Sequence, residues 1–276
     1  MPRFMLTIEY AGTRYRGWQV QQNARTVAGE IERAVAAATG ARRFELYGSG
    51  RTDAGVHALA QVAHLQIDTR LTADALLSRI NDELPGDIAV VALARAPRRF
   101  HARHDAVARS YLYQIARRRM AFAKPYVWWV REDLDLDRMR AAAQRFVGLR
   151  DYRAFSADDR EDAESRVLVD RVEVIDAPPL VLVRVVGSHF LWRMVRRMVG
   201  VLVAVGRRDL RPDDVGRLLA GGAGEAAELT APASGLFLER VFYTGAVPGG
   251  DARGDTGPDA ASGGLSASGI PRSAFR

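Results

Sequence analysis

GSGRTDAGVHALAQVAHL, residues 48–65, sets two charged side chains, Arg51 and Asp53, among Gly48, Gly50 and Gly55, directly before an apolar run. A buried strand needs no charged pair at its mouth. Asp53-Ala54-Gly55 suits a turn, since Asp and Gly are turn formers, but a plain turn needs fewer special residues. On its near side FELYG (44–48) reads as a short strand, and LAQVAHLQI (59–67) as the strand that leaves it.

The residues alone leave several chemistries open for this loop and weaken others. A metal site needs several ligands close together, and only His57 and His64 lie nearby in sequence. A phosphate-cradling loop would end in Gly-Lys-Ser/Thr and run into a helix, and neither holds here. Ser49 as a nucleophile would need a histidine base and an orienting acid, which the order of residues does not supply.

Outward from the loop, strand and helix patterns mix. RFMLTIEY (3–10) alternates Phe4, Leu6 and Ile8 as a strand does. Residues 26–40 predict a helix capped by Thr26 and stopped by Gly40. Residues 72–84 predict a second, stopped by Pro85-Gly86, with a strand at 88–96. Beyond the basic stretch 95–124 the mixture resumes. Strands are expected at 109–116, 167–175, 180–187 and 235–243, and helices at 136–148, 190–206 and 212–222. In the helix 190–206, a 3.6-residue period puts Leu191, Met194, Val195, Met198 and Leu202 on one face. Arg193, Arg196, Arg197 and Gly200 fall on the other. Gly200 stands where a better helix former is expected, and a glycine there permits close approach of a backbone or ligand. The class is α+β, in two sheet-and-helix halves, 1–105 and 106–245. The Gly-, Ser-, Asp- and Pro-rich residues 246–276 read as a disordered tail.

Composition narrows the partners. The chain has 276 residues, no cysteine and a formal net charge of +7. The charge favours a polyanion, nucleic acid first. Absence of cysteine excludes disulfides, thiolate metal sites and cysteine nucleophiles. No apolar run is long enough to span a bilayer, and MPRFMLTIEYAG does not read as a signal peptide, so a cytoplasmic protein is expected. Lys124 is the sole lysine; the preference for arginine fits a GC-rich coding bias, which does not explain the positive sum.

The loop GSGRTDAGVHALAQVAHL closely resembles the active-site motif of the tRNA pseudouridine synthase A family. YAGTRYRGWQVQQNARTVAGEIERA (10–34), FHARHDAVARSYLY (100–113), FLWRMVRRMVG (190–200) and APASGLFLERVFY (231–243) resemble further family segments, in family order. The resemblance implies the pseudouridine synthase fold, with a basic cleft between the halves. It implies a homodimer acting on tRNA without metal or other cofactor. The reaction would convert uridines 38, 39 and 40 of the anticodon stem-loop to pseudouridine. Asp53 would be the catalytic carboxylate, with Arg51 holding the flipped geometry and Tyr111 stacking on the uracil. Arg196 would pair with Asp53, while Arg193 and Arg197 would contact RNA phosphates.

General chemistry fits these roles. A base inside a stack must be extruded before its sugar carbon can be reached, and glycines let backbone approach it closely. A guanidinium near a carboxylate favours the charged form. Whether Asp53 would attack the sugar, attack the base or remove a sugar proton stays open. No role is assigned to Trp192, to Asp151 and Phe155 beyond structure, or to His57, His64, His101, His104 and His189. Two alternatives compete: a catalytically inactive tRNA-binding protein on the same scaffold, and a glycoside hydrolase. The second needs two opposed acids, and no second acid accompanies Asp53 in its motif.

Overall fold

The alternating apolar segments build one sheet. A computed structural model describes residues 1–158, 160, 164–221 and 223–244; the expected tail at 246–276 lies outside them. The strands are β1 Arg3–Tyr10, β2 Phe44–Gly48, β3 His57–Ile67, β4 Ile88–Ala96, β5 Ala106–Ala116, β6 Trp128–Trp129, β7 Gly148–Asp151, β8 Arg166–Ala177, β9 Leu180–Gly187 and β10 Leu236–Tyr243. Their order is β4-β1-β3-β10-β5-β9-β8-β7, with β2 paired along β3 and β6 along β5. β10 lies between β3, to which it is parallel, and β5, to which it is antiparallel.

The helices are α1 Val27–Thr39, α2 Ala73–Glu83, α3 Leu136–Arg145, α4 Met194–Gly206, α5 Asp214–Gly221 and α6 Ala223–Glu228. Local signals set the first two. Thr26 accepts from the Gly29 N–H and Thr72 from the Ala75 N–H, each satisfying an orphan donor of the first turn. Gly40 ends α1 with φ 69°, a left-handed conformation that costs glycine little. The helix expected to run to 148 stops at Arg145, and Gly148 turns the chain into β7.

Two hydrophobic cores flank the sheet's middle. One joins Ile31, Val35, Leu76 and Ile80 to Phe4, Leu6 and Leu65. The other joins Met139, Phe146, Met198 and Leu202 to Tyr113, Val183 and Val185. Tyr111 of β5 packs against both.

The helix expected at 190–206 needs correction. Its first turn is absent: Arg193 takes φ 62°, and α4 begins at Met194. The face of Arg196, Arg197 and Gly200 is also largely covered. Arg197 is buried with Met194, Met198 and Val201, and Gly200 meets the backbone of Leu229.

Candidate active site

The loop between β2 and β3 is held from behind by the chain that follows β1. The Trp18 N–H donates to the Thr52 carbonyl at 3.0 Å, and the hydroxyls of Tyr10 and Thr52 are hydrogen-bonded at 2.7 Å. Gly17 makes this brace fit. Its φ is +94°, and a Cβ there would stand 2.6 Å from the Thr52 carbonyl oxygen, so no side chain is admitted. Inside the loop, the Ser49 hydroxyl donates to Gln61 Oε1 at 2.6 Å and Gln61 Nε2 donates to the Gly50 carbonyl at 3.0 Å. The Val56 N–H closes a turn on the Asp53 carbonyl at 3.1 Å, with Gly55 at φ +79°. The loop is therefore a braced, hydrogen-bonded platform.

Asp53 is presented from it half-buried. Arg196 of α4 places Nη1 3.6 Å from Asp53 Oδ2, an ion pair too long to be a hydrogen bond. The guanidinium is aimed by its other end: Nε donates to the Ala231 carbonyl at 2.7 Å, and the Ala231 N–H returns a bond to the Arg196 carbonyl at 3.1 Å. Burial lowers the Arg196 pKa and the Asp53 charge opposes this. Arginine stays protonated regardless.

Tyr111 sits across from Val185 of β9 and Leu238 of β10, and its ring meets Phe190 edge-on at 5.2 Å. Burial pushes its phenol up to about 12; the Arg109 cation opposes the shift and the Asp53 charge adds to it. The phenol is thus a neutral donor at neutral pH, within electrostatic reach of Asp53. Tyr113, two residues on and on the same face, is a core residue: it is fully buried and donates to the Pro232 carbonyl at 2.7 Å.

A family model described as tRNA pseudouridine synthase matches residues 6–105 and 142–244. The chain belongs to that family. It is 45% identical over 240 residues to "tRNA pseudouridine synthase A" of Syntrophotalea carbinolica, covering 86% of this chain and 95% of that protein. It is 41% identical over 251 residues to the protein of that name from Nitrobacter winogradskyi, covering 90% and 98%. To the one from Geotalea uraniireducens it is 41% identical over 245 residues, covering 88% and 100%. As a member of the tRNA pseudouridine synthase family the chain is an isomerase.

Within this synthase the expected site residues divide. Asp53, Arg196 and Tyr111 come together from the loop, α4 and β5. Arg51 and Arg193 are exposed, and Arg193 lies over the Trp192 ring at 5.0 Å. Arg197 does not join the basic surface expected of it. It is 8% exposed, and its Nη1 donates to the carbonyls of Ala154 and Ser156, so it ties α4 to the segment before β8. Among the described residues no group of His, Cys, Asp and Glu is arranged to hold a metal ion, and no helix is long and apolar enough to cross a membrane.

The histidine of the motif is structural. His57 Nδ1 accepts from the Gly12 N–H at 3.0 Å, so the proton is on Nε2, which donates to the Pro125 carbonyl at 3.0 Å. Burial pushes this imidazole down to about 4, against the pull of its backbone bonds. Arg109, to which the quoted segment 100–113 gave no role, also enters. Arg109 donates Nη2 to the Ser49 carbonyl at 3.1 Å and the Arg103 carbonyl at 3.0 Å. Its Nη1 donates to Ser188 at 2.8 Å and Ala106 at 3.2 Å.

Proposed function

We propose that this synthase isomerises uridines 38, 39 and 40 in the anticodon stem-loop of tRNA, with Asp53 as the catalytic carboxylate. The observation that carries the reading is the Asp53–Arg196 pair on a braced loop beside Tyr111. The reaction is internally balanced. The N1–C1′ bond breaks, C5 joins C1′, and one proton leaves C5 while one is taken up at N1. No redox partner is consumed.

The geometry suits that task. The loop is fixed before substrate arrives, so little ordering remains when the nucleotide enters. The base must be extruded from its stack, and the exposed Arg51 beside Asp53 can occupy the space left behind. The partly buried ring of Tyr111 offers a stacking surface, and its neutral hydroxyl a proton donor. Arg196 fixes the direction of the Asp53 carboxylate. Arg193 adds a phosphate contact at the rim. The protein works as a cytoplasmic homodimer in this reading, with one tRNA touching both subunits. Its halves, 1–105 and 106–245, would form the walls of the cleft.

The test is to incubate the protein with unmodified tRNA and map pseudouridines chemically, for wild type and Asp53→Asn. Modification confined to 38–40 and abolished by Asp53→Asn, with the variant folded and binding tRNA, is expected. Binding without any modification by wild type would favour an inactive tRNA-binding protein.

A further inference from the structure

Among the described residues Arg109 pairs with no carboxylate. Its four hydrogen bonds to the described residues go to backbone carbonyls in separate parts of the chain: Ser49, Arg103, Ala106 and Ser188. Two of these lie 60 and 79 residues away in sequence. The connection matters because of what each segment carries. Ser49 opens the loop that ends in Asp53. Ala106 begins β5, the strand of Tyr111, and Arg109 shares a face with Tyr111 two residues on. Ser188 opens the short link from β9 to α4, the helix of Arg196. One guanidinium therefore clamps the three backbone segments whose side chains form the site.

The chemistry of the clamp is specific to arginine. The group is planar, carries five N–H donors in a fixed fork and stays charged when half-buried. A lysine ammonium is a point donor on a flexible stem with three N–H groups and cannot serve four carbonyls shared between two fork nitrogens. Burial lowers the Arg109 pKa, with the neighbouring Arg103 cation lowering it further and the phenols of Tyr111 and Tyr243 opposing.

We infer that Arg109 is a positioning residue for isomerisation: it locks the Asp53 loop to the Tyr111 strand and the approach to α4, without itself touching RNA. This rests on the reading of Asp53 and Tyr111 as the reacting site. A misplacement of about 1 Å in such a site costs about 10²-fold in rate, so that is the scale expected when the clamp is removed.

The experiment measures single-turnover pseudouridine formation at saturating enzyme, tRNA affinity and thermal unfolding for wild type, Arg109→Lys and Arg109→Ala, well below their unfolding temperatures. Both variants should lose about 10²-fold in rate while the tRNA Kd moves less than about threefold. Methylguanidinium should restore part of the Arg109→Ala rate and leave wild type and Arg109→Lys unaffected. A merely structural arginine would not give that rescue or that split between rate and affinity. If Arg109→Ala does not fold, Arg109→Lys decides. A folded Arg109→Lys with wild-type rate, or a loss confined to affinity, overturns the inference. Failure of wild type to form pseudouridine would instead overturn the reading on which it rests.

Discussion

Replacing Gly200 by Ala should destabilise this protein and weaken the site from a distance. A Cβ at Gly200 would fall inside the carbonyl group of Leu229, 2.6 Å from its carbon, and 3.3 Å from the Ala231 nitrogen. Both obstacles are backbone, so no rotamer change relieves them; α4 and segment 229–231 must separate. That segment is bound to α4 through the two Arg196–Ala231 hydrogen bonds. Overpacking of this kind costs roughly 1–3 kcal/mol. Losing one neutral and one charge-assisted bond adds roughly 2–4 kcal/mol. The better helix propensity of alanine returns about 1 kcal/mol. The net loss is about 4 kcal/mol, a large share of a typical folding free energy, and should lower Tm by roughly 10 °C. Denaturant and thermal unfolding measure it. Gly216→Ala in α5 is the control, because its added methyl would meet nothing within 4 Å and should be neutral or mildly stabilising. The turnover of folded Gly200→Ala should also fall, since Arg196 loses the carbonyl that aims it at Asp53. A Gly200→Ala protein within about 1 kcal/mol of wild type, far below the summed loss of about 4 kcal/mol, would refute this account of α4.

Other changes separate the arginines and the aromatics. Arg193→Ala should weaken tRNA binding and flatten its salt dependence by about one unit of slope. Arg197→Ala should leave that slope unchanged and cost about 2 kcal/mol of stability, because two carbonyls lose their buried donor; binding titrations across salt, with unfolding curves, tell the two apart. Tyr111→Phe should keep more activity than Tyr111→Ala, because the ring still stacks, and single-turnover rates decide it. His57 predicts an acid limb in stability. Its folded-state pKa of about 4 lies below its ordinary 6.5, so the stability is whole above pH 6.5, falls as the pH drops toward 4 and levels off below. The loss is roughly 3 kcal/mol at most, and His57→Gln should flatten this limb of the stability–pH curve.

Where the structure depends on local chemistry, the sequence showed it. Thr26, Gly40 and Thr72 mark helix ends because a cap is made within a few residues. The Asp53 loop was legible as a motif, and Gly200 as a close approach. The start of α4 was not legible, because Phe190, Leu191 and Trp192 continue the helical period. What breaks it is the left-handed Arg193, on a segment fixed by the bond from the Ala157 N–H to the Trp192 carbonyl at 2.9 Å. Arg197 lay on the polar side of the helical wheel, but the segment around Ala154 and Ser156 packs over that side. Tertiary packing overrode the pattern, and a long arginine stem is apolar enough to allow it. The role of Arg109 was not legible because its partners are main-chain carbonyls, which carry no side-chain signature.

The place of β10 has a consequence for the order of assembly. β3 and β5 are separated by a strand made well over a hundred residues after either. A ribosome adding 5–20 residues each second delivers residues 236–243 roughly 6–25 s after β5. Until then the nascent polypeptide carries two open edges, and the loop of Asp53 has no fixed register against the strand of Tyr111. Insertion of one late strand closes both edges and completes the proposed catalytic centre in the same event. A polypeptide cut short before residue 236 would thus be inactive, and it would expose the strand edges most prone to pair with other chains.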